Sequence, residues 1–210
     1  MTKKSRTFGA ILVAVGICGS ALATNAAATE PQQRPREVTH QQGLEEFVNT
    51  FNPNAAWAYD GGAFGVSGVD SMLGREHAAM AFNPSKSYAV KAITVAVGYQ
   101  FGTNGATVSL NSDAAGAPGA VLYQAAITDL PNLGTCCVTS MVKVKRKVNV
   151  TAGNQYWIVV KTGKKTADTG AGWNLNSIGA VGTFAVDFGD GWQVHNGQTA
   201  AYSVSGTRLR

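Results

Sequence analysis

ATVSLNSDAAGAPGAVL, residues 106–122, alternates apolar and polar side chains on both sides of a turn cluster that runs from Ser112-Asp113 to Pro118-Gly119. Alternation with a period of two gives a strand one apolar face, and a dense Asp/Gly/Pro cluster reverses the chain. GNQYWIVVK, residues 153–161, repeats the signal, with Tyr156, Ile158 and Val160 on one face and Trp157, Val159 and Lys161 on the other. Working outward, His77 to Phe82 reads as a strand ended by Asn83-Pro84, and Tyr88 to Tyr99 as another. Asn104-Gly105 reads as a hairpin-type turn. Thr107 to Asn111 and Ala120 to Thr128 flank the central turn, and Thr135 to Val150 forms a long strand or a bent pair. Trp173 to Asn176, Thr183 to Phe188, Trp192 to His195 and Ala200 to Val204 bring the total to about ten short strands, with Asp190-Gly191 and Asn196-Gly197 as further turns. The expected fold is all-β: an antiparallel, jelly-roll-like β-sandwich. One short helix is expected over Gln41 to Thr50, where Leu44, Phe47 and Val48 stand at i, i+3 and i+4 with Glu45 and Glu46 opposite.

Residues 1–28 read as a secretory signal. Lys3, Lys4 and Arg6 precede an apolar run from Phe8 to Leu22, and Ala21-Leu22-Ala23 and Ala26-Ala27-Ala28 offer small residues for cleavage. The run is shorter than the roughly 20 residues of a spanning helix. Cys18 follows Ile17, where a lipobox needs a small residue. Residues 29–50 then form a polar linker and the short helix, and 51–210 the sandwich. The whole chain carries 17 Lys+Arg against 12 Asp+Glu; removing Lys3, Lys4 and Arg6 leaves 14 against 12, a net charge of +2. That small excess gives no electrostatic footprint for nucleic acid, and no stable membrane insertion is expected after processing. The expected location is secreted or periplasmic.

Cys136 and Cys137 remain after processing. Either they bond to each other, or they stay as two thiols on opposite faces of a strand. An oxidising compartment favours the bond and the closeness of adjacent Cα atoms opposes it. His40, His77 and His195 show no metal-ligand spacing with the pair, and no cofactor is expected. Val142, Val144, Val148 and Val150 share one face of Met141 to Val150, with Lys143, Lys145 and Lys147 on the other. Outward lysines deter edge-to-edge strand pairing, and no aromatic residues alternate with them as a nucleic-acid stacking platform requires. Arg146 interrupts the valine face and marks a bulge or the sheet rim.

Reaction motifs are sparse. Asp70, Glu76, Asp187 and Asp190 are candidate carboxylates, but spacing alone does not set two of them across a cleft. Asp113 offers one carboxylate to a calcium ion, and reads better as a turn that caps backbone amides. No G-x-S-x-G and no phosphate-binding G-x-x-x-x-G-K-[ST] occurs. Aromatics are the stronger lead. Trp157 reads as core. Trp173 and Trp192 each follow a glycine and have polar company: Asn174 and Asn176 beside the first, Asp190 beside the second. A tryptophan among amides and a carboxylate can stack on a sugar ring and bond its hydroxyls; the competing reading buries both rings. Trp173, Asn174, Asn176, Asp190 and Trp192 are therefore the expected ligand site.

The order AFNPSKSYAVKAITVAVGY, VSLNSDAAGAPGAVL, VNVTAGNQYWIVV, GWNLN, GDGWQ and AAYSVSG resembles exported bacterial β-sandwich domains of the choice-of-anchor, or PEP-CTERM-associated, type. The resemblance spans Ala78 to Gly206 and is most specific at Ser112-Asp113-x-x-Gly116-x-Pro118-Gly119 and Ala152-Gly153-x-x-Tyr156-Trp157. It implies a jelly roll outside the cytoplasm. The sequence carries no Pro-Glu-Pro sorting signal before Arg210, so secretion or periplasmic residence is expected over anchoring. The expected function is non-catalytic binding of an extracellular ligand, a glycan first; the alternative is a structural or adhesive surface protein that contacts other proteins and has no small-ligand site.

Overall fold

The computed structural model describes residues 44–210. The signal segment and most of the linker, residues 1–43, lie outside the described residues. The fold is all-β and antiparallel, as the alternation predicts. Fourteen strands replace the expected ten: β1 (Glu45–Asn49), β2 (Ala63–Ser67), β3 (His77–Phe82), β4 (Tyr88–Val95), β5 (Val97–Phe101), β6 (Gly105–Ala114), β7 (Ala117–Thr128), β8 (Ser140–Lys143), β9 (Asn149–Val150), β10 (Tyr156–Lys161), β11 (Gly170–Asn174), β12 (Val181–Asp187), β13 (Gln193–Gln198) and β14 (Tyr202–Arg208). One sheet of five strands runs β1-β14-β4-β8, with β9 also on β4; one of six runs β13-β12-β3-β10-β6-β7; a small one of three runs β2-β11-β5.

The apolar faces of these sheets meet in one core. Tyr88, Val90, Ile93, Val95, Val204 and the four valines 142, 144, 148 and 150 supply the five-stranded side. Met80, Phe82, Val108, Leu110, Tyr156, Ile158 and Val160 supply the six-stranded side. Two tyrosines satisfy their hydroxyls across the core: Tyr202 donates to the Ala81 carbonyl at 3.1 Å and Tyr123 to that of Lys143 at 2.9 Å. A buried phenol needs such a partner, and these two bonds fasten one sheet to the other.

Four expectations are corrected. The helix over Gln41–Thr50 is not formed in its described part; Glu45–Asn49 is an edge strand on β14, so the sandwich starts before residue 51. Its register shifts between Glu46 and Val48, and Phe47 and Val48 both pack on the core. A bulge places neighbouring residues on the same side, which mimics helical spacing in the text. Tyr88 to Tyr99 is two strands, β4 and β5, in different sheets, so Asn104-Gly105 joins sheets and makes no hairpin. The Asn104 side chain instead bonds the backbone of Leu130, donating to its carbonyl at 3.0 Å and accepting from its amide at 2.8 Å. Asn196-Gly197 lies within β13.

The hairpin that decided the fold forms with a shorter turn than read: the strands run through Ser112–Ala114 and Ala117–Gly119, with register shifts near Asn111. β6 and β7 pair from Gly105↔Thr128 to Ala114↔Ala117, and Ala115 and Gly116 both take positive φ, at 54° and 84°. Two left-handed residues make the tight turn whose twist suits an antiparallel pair. Asp113 caps it, accepting from the Gly116 amide at 2.9 Å. Among the described residues no helix is long and apolar enough to cross a membrane.

Candidate functional site

The six-stranded sheet also has an outward face, and it carries a second layer. Ala79, Trp157, Val159 and Ala185 are buried there, apart from the main core, with Ala81 and Trp192 packed against them. Alternation explains this. In HAAMAF, Ala78, Met80 and Phe82 point into the sandwich, so His77, Ala79 and Ala81 point out. In YWIVVK the same rule turns Trp157, Val159 and Lys161 outward. Trp157 is buried, as expected, but in this outer layer. Its indole N–H donates to Asp113 Oδ1 at 2.8 Å, and the Gln155 amide donates to the same oxygen at 2.8 Å. The Trp157 bond, with those from Gly116 and Gln155, holds the Asp113 carboxyl below its ordinary range.

A cleft of about 510 Å³ crosses this face. The strand register arranges its lining in rows. In the middle row, Ala185 faces Ala79, Ala79 faces Val159, Val159 faces Ser109, and Ser109 faces Gln124. Toward one end Asp187 faces His77, and Lys161 faces Thr107. Toward the other, Ala81 faces Trp157, Trp157 faces Asn111, and Asn111 faces Val121. The result is a buried apolar layer, reached from the cleft at Val159, between a charged row and an amide-bearing row. Arg75, Thr162, Gly163 and Trp192 close its sides.

The charged row is organised by Asp187. Its Oδ2 pairs with Arg75 Nη2 at 2.5 Å, and its Oδ1 accepts from the amides of Gly189 at 2.7 Å and Gly191 at 3.2 Å. Burial pushes the Asp187 carboxyl up, but those amides and the guanidinium outweigh it and hold the acid below its usual range. Gly189 and Gly191 take φ of 109° and 96°, which a side chain resists. They let the 188–191 loop curl over Asp187 and deliver Trp192 to the cleft wall. His77 is pushed down to about 4, by burial first and then by Arg75 and Lys161 against the pull of Asp187. It is neutral at physiological pH. Lys161 has no ion-pair or hydrogen-bond partner among the described residues. Gln124 and Thr107 likewise keep their side-chain polar atoms unbonded by protein. Asn111 is spent, accepting from Ser109 at 2.8 Å and donating to the Gly119 carbonyl at 2.8 Å.

The expected ligand site does not assemble. Trp173 is fully buried in the main core, its N–H donating to the Ala201 carbonyl at 3.0 Å and its ring edge-on to Tyr202. Asn174 is buried and donates to the Asp60 carbonyl at 3.0 Å. Asn176 is buried and tied to Ala180 and Thr199. A ring or amide without exposed surface meets no ligand, so these three are structural. Asp190 is exposed on its loop and does not line the cleft. Trp192 alone does. Of the other carboxylates, Glu76 folds against the Gly65 backbone, where burial raises its acid, and Asp70 is exposed on the loop before β3.

Reading the sequence missed Arg75, His77, Thr107, Gln124 and Lys161 as cleft residues. Their signal was present in HAAMAF, which is apolar on both faces save for His77. A strand apolar on both faces is covered on both sides. Away from the cleft lining, Cys136 and Cys137 are bonded to each other. Tyr59 holds that loop, its hydroxyl lying 2.8 and 3.1 Å from the carbonyls of Thr135 and Val138.

No family model, curated protein or solved structure matches the chain.

Proposed function

We propose that this chain is an exported, non-catalytic β-sandwich of the choice-of-anchor kind that binds an extracellular glycan in the cleft across its six-stranded sheet. The layering of the cleft carries the reading. A sugar ring has an apolar C–H face and a polar rim. Val121, 43% exposed, and the partly exposed Trp192 offer a surface for the first, and Gln124, Thr107 and Lys161 offer partners for the second. Non-catalytic binding is supported by the chemistry of Asp187. Glycoside hydrolysis takes two carboxylates, one of them able to give up a proton near neutrality. Asp187 is the carboxylate that lines the cleft; both its oxygens are engaged, and its acid is held low.

An oligosaccharide array followed by calorimetric titration tests the reading. Trp192→Ala is expected to weaken glycan binding by about tenfold or more while the protein stays folded, the scale of one lost aromatic contact. An array on which no oligosaccharide is retained rejects the glycan reading. It would favour the adhesive alternative, which the exposed side chains of Trp57, Met72 and Val181 support at 67%, 84% and 78% accessibility.

A further inference from the structure

The charge in the cleft is unevenly spent. Arg75 is neutralised by Asp187, which has no oxygen left to repel or receive a ligand. His77 beside them is neutral. Lys161 remains. It sits at the end of β10, between Thr107 on β6 and the charged row, and no described carboxylate reaches it. An ammonium group on a central strand lining the cleft, beside a neutral imidazole and a compensated ion pair, leaves the site with one unbalanced positive charge. A carboxylate is the complementary group.

The cleft also has length. Its lining comes from β12, β3, β10, β6 and β7, five neighbouring strands in one sheet. At a spacing of about 4.8 Å between strands, that crossing is about 19 Å. A single sugar does not fill such a path. We infer that the ligand is an acidic oligosaccharide, a chain of carboxylate-bearing sugars lying across the strands, with Lys161 receiving a carboxylate. This rests on the glycan reading above and gives it a substrate class.

The test titrates the full chain with tetragalacturonate and tetramannuronate, the fully methyl-esterified form of each, and neutral cellotetraose. At least one acid tetramer is expected to bind about tenfold tighter than its own ester, the worth of one charge-assisted bond. Lys161→Met should remove that difference, so that acid and ester bind the variant equally, and Lys161→Arg should keep it. Raised salt should weaken the acid and spare the ester. Thermal unfolding of each variant shows that it is folded. If the neutral or esterified tetramers bind as well as the acids, or Lys161→Met keeps the preference, the acidic class is wrong and the glycan reading stands. If no tetramer binds and the array also retains nothing, both fall.

Discussion

Trp173 and Trp192 share a local text, glycine then tryptophan then an amide, and end in opposite settings. What separates them is position in a sheet. Trp173 stands on β11, the middle strand of the small sheet, and Trp192 precedes β13 at the edge of the large one. Nothing in five residues of sequence reports that. Trp173→Ala is expected to cost about 3–5 kcal/mol in urea unfolding, the range for emptying a fully buried large site. Trp192→Ala should cost well under half as much, since the ring is only partly buried; equal losses would show that both are core. His77 makes a prediction in pH. The folded state keeps it neutral down to about pH 4. The unfolded chain protonates it from about pH 6.5. Between those values the unfolded state holds more protons, so stability falls as pH drops through the window, by at most about 3 kcal/mol, and is flat in this respect above it. His77→Gln should flatten the decline measured by denaturation at pH 7 and pH 4.5. Asp187, whose acid is depressed, adds its own loss only at still lower pH, so the two windows separate.

At the scale of elements, regular alternation was legible and its interruptions were not. β10 follows the text because it keeps one phase throughout, and β6 and β7 follow it up to Leu110 and Tyr123, where their register shifts. β4 does not. Its pairing with β14 jumps from Ala92 to Val90, which leaves Lys91 as an extra, outward residue and reverses which side chains face the core on either side of it. The same device hid β1. The candidate site was less legible still, because its residues are spread over five strands and converge only through register. The row of lysines is where the reading and the structure meet: β8 is an edge strand, and Lys143, Lys145 and Lys147 are exposed. Arg146 turns away from that row at the break between β8 and β9, donating to the Leu122 carbonyl and lying 6.0 Å from the Tyr123 ring centre. Replacing Lys143 and Lys145 together with threonine should leave the melting temperature nearly unchanged and raise light scattering on storage, because an uncharged edge is open to pairing with another copy. Unchanged scattering would remove the protective role from these lysines.

For the whole molecule, the cysteine pair bears on assembly. Cys136 and Cys137 are spent on each other, and if residues ahead of 29 are removed on export, as proposed, they are the chain's remaining cysteines. The exported protein is expected to migrate identically with and without reductant, and to take up an alkylating reagent only after reduction. Labelling of native protein, or a reductant-sensitive dimer, would contradict the pairing. Mass spectrometry of the same sample should place the N-terminus at Thr24 or Thr29; recovery of intact Met1 from a membrane fraction would instead indicate a retained anchor.

β3 lies under both layers of this protein. Its even-numbered residues, Ala78, Met80 and Phe82, belong to the main core, and its odd-numbered ones to the outer layer, where Ala79 and Ala81 pack under the cleft and His77 lines it. The two sets share a backbone and little else. A lineage, or an engineer, can therefore rewrite the exposed outward letters of this sheet to change what is held while the inward letters go on specifying the same architecture. Val121 and Gln124, exposed where β7 lines the cleft, are the natural first letters to vary: a larger side chain at either would narrow the groove and select slimmer guests without disturbing the layers beneath.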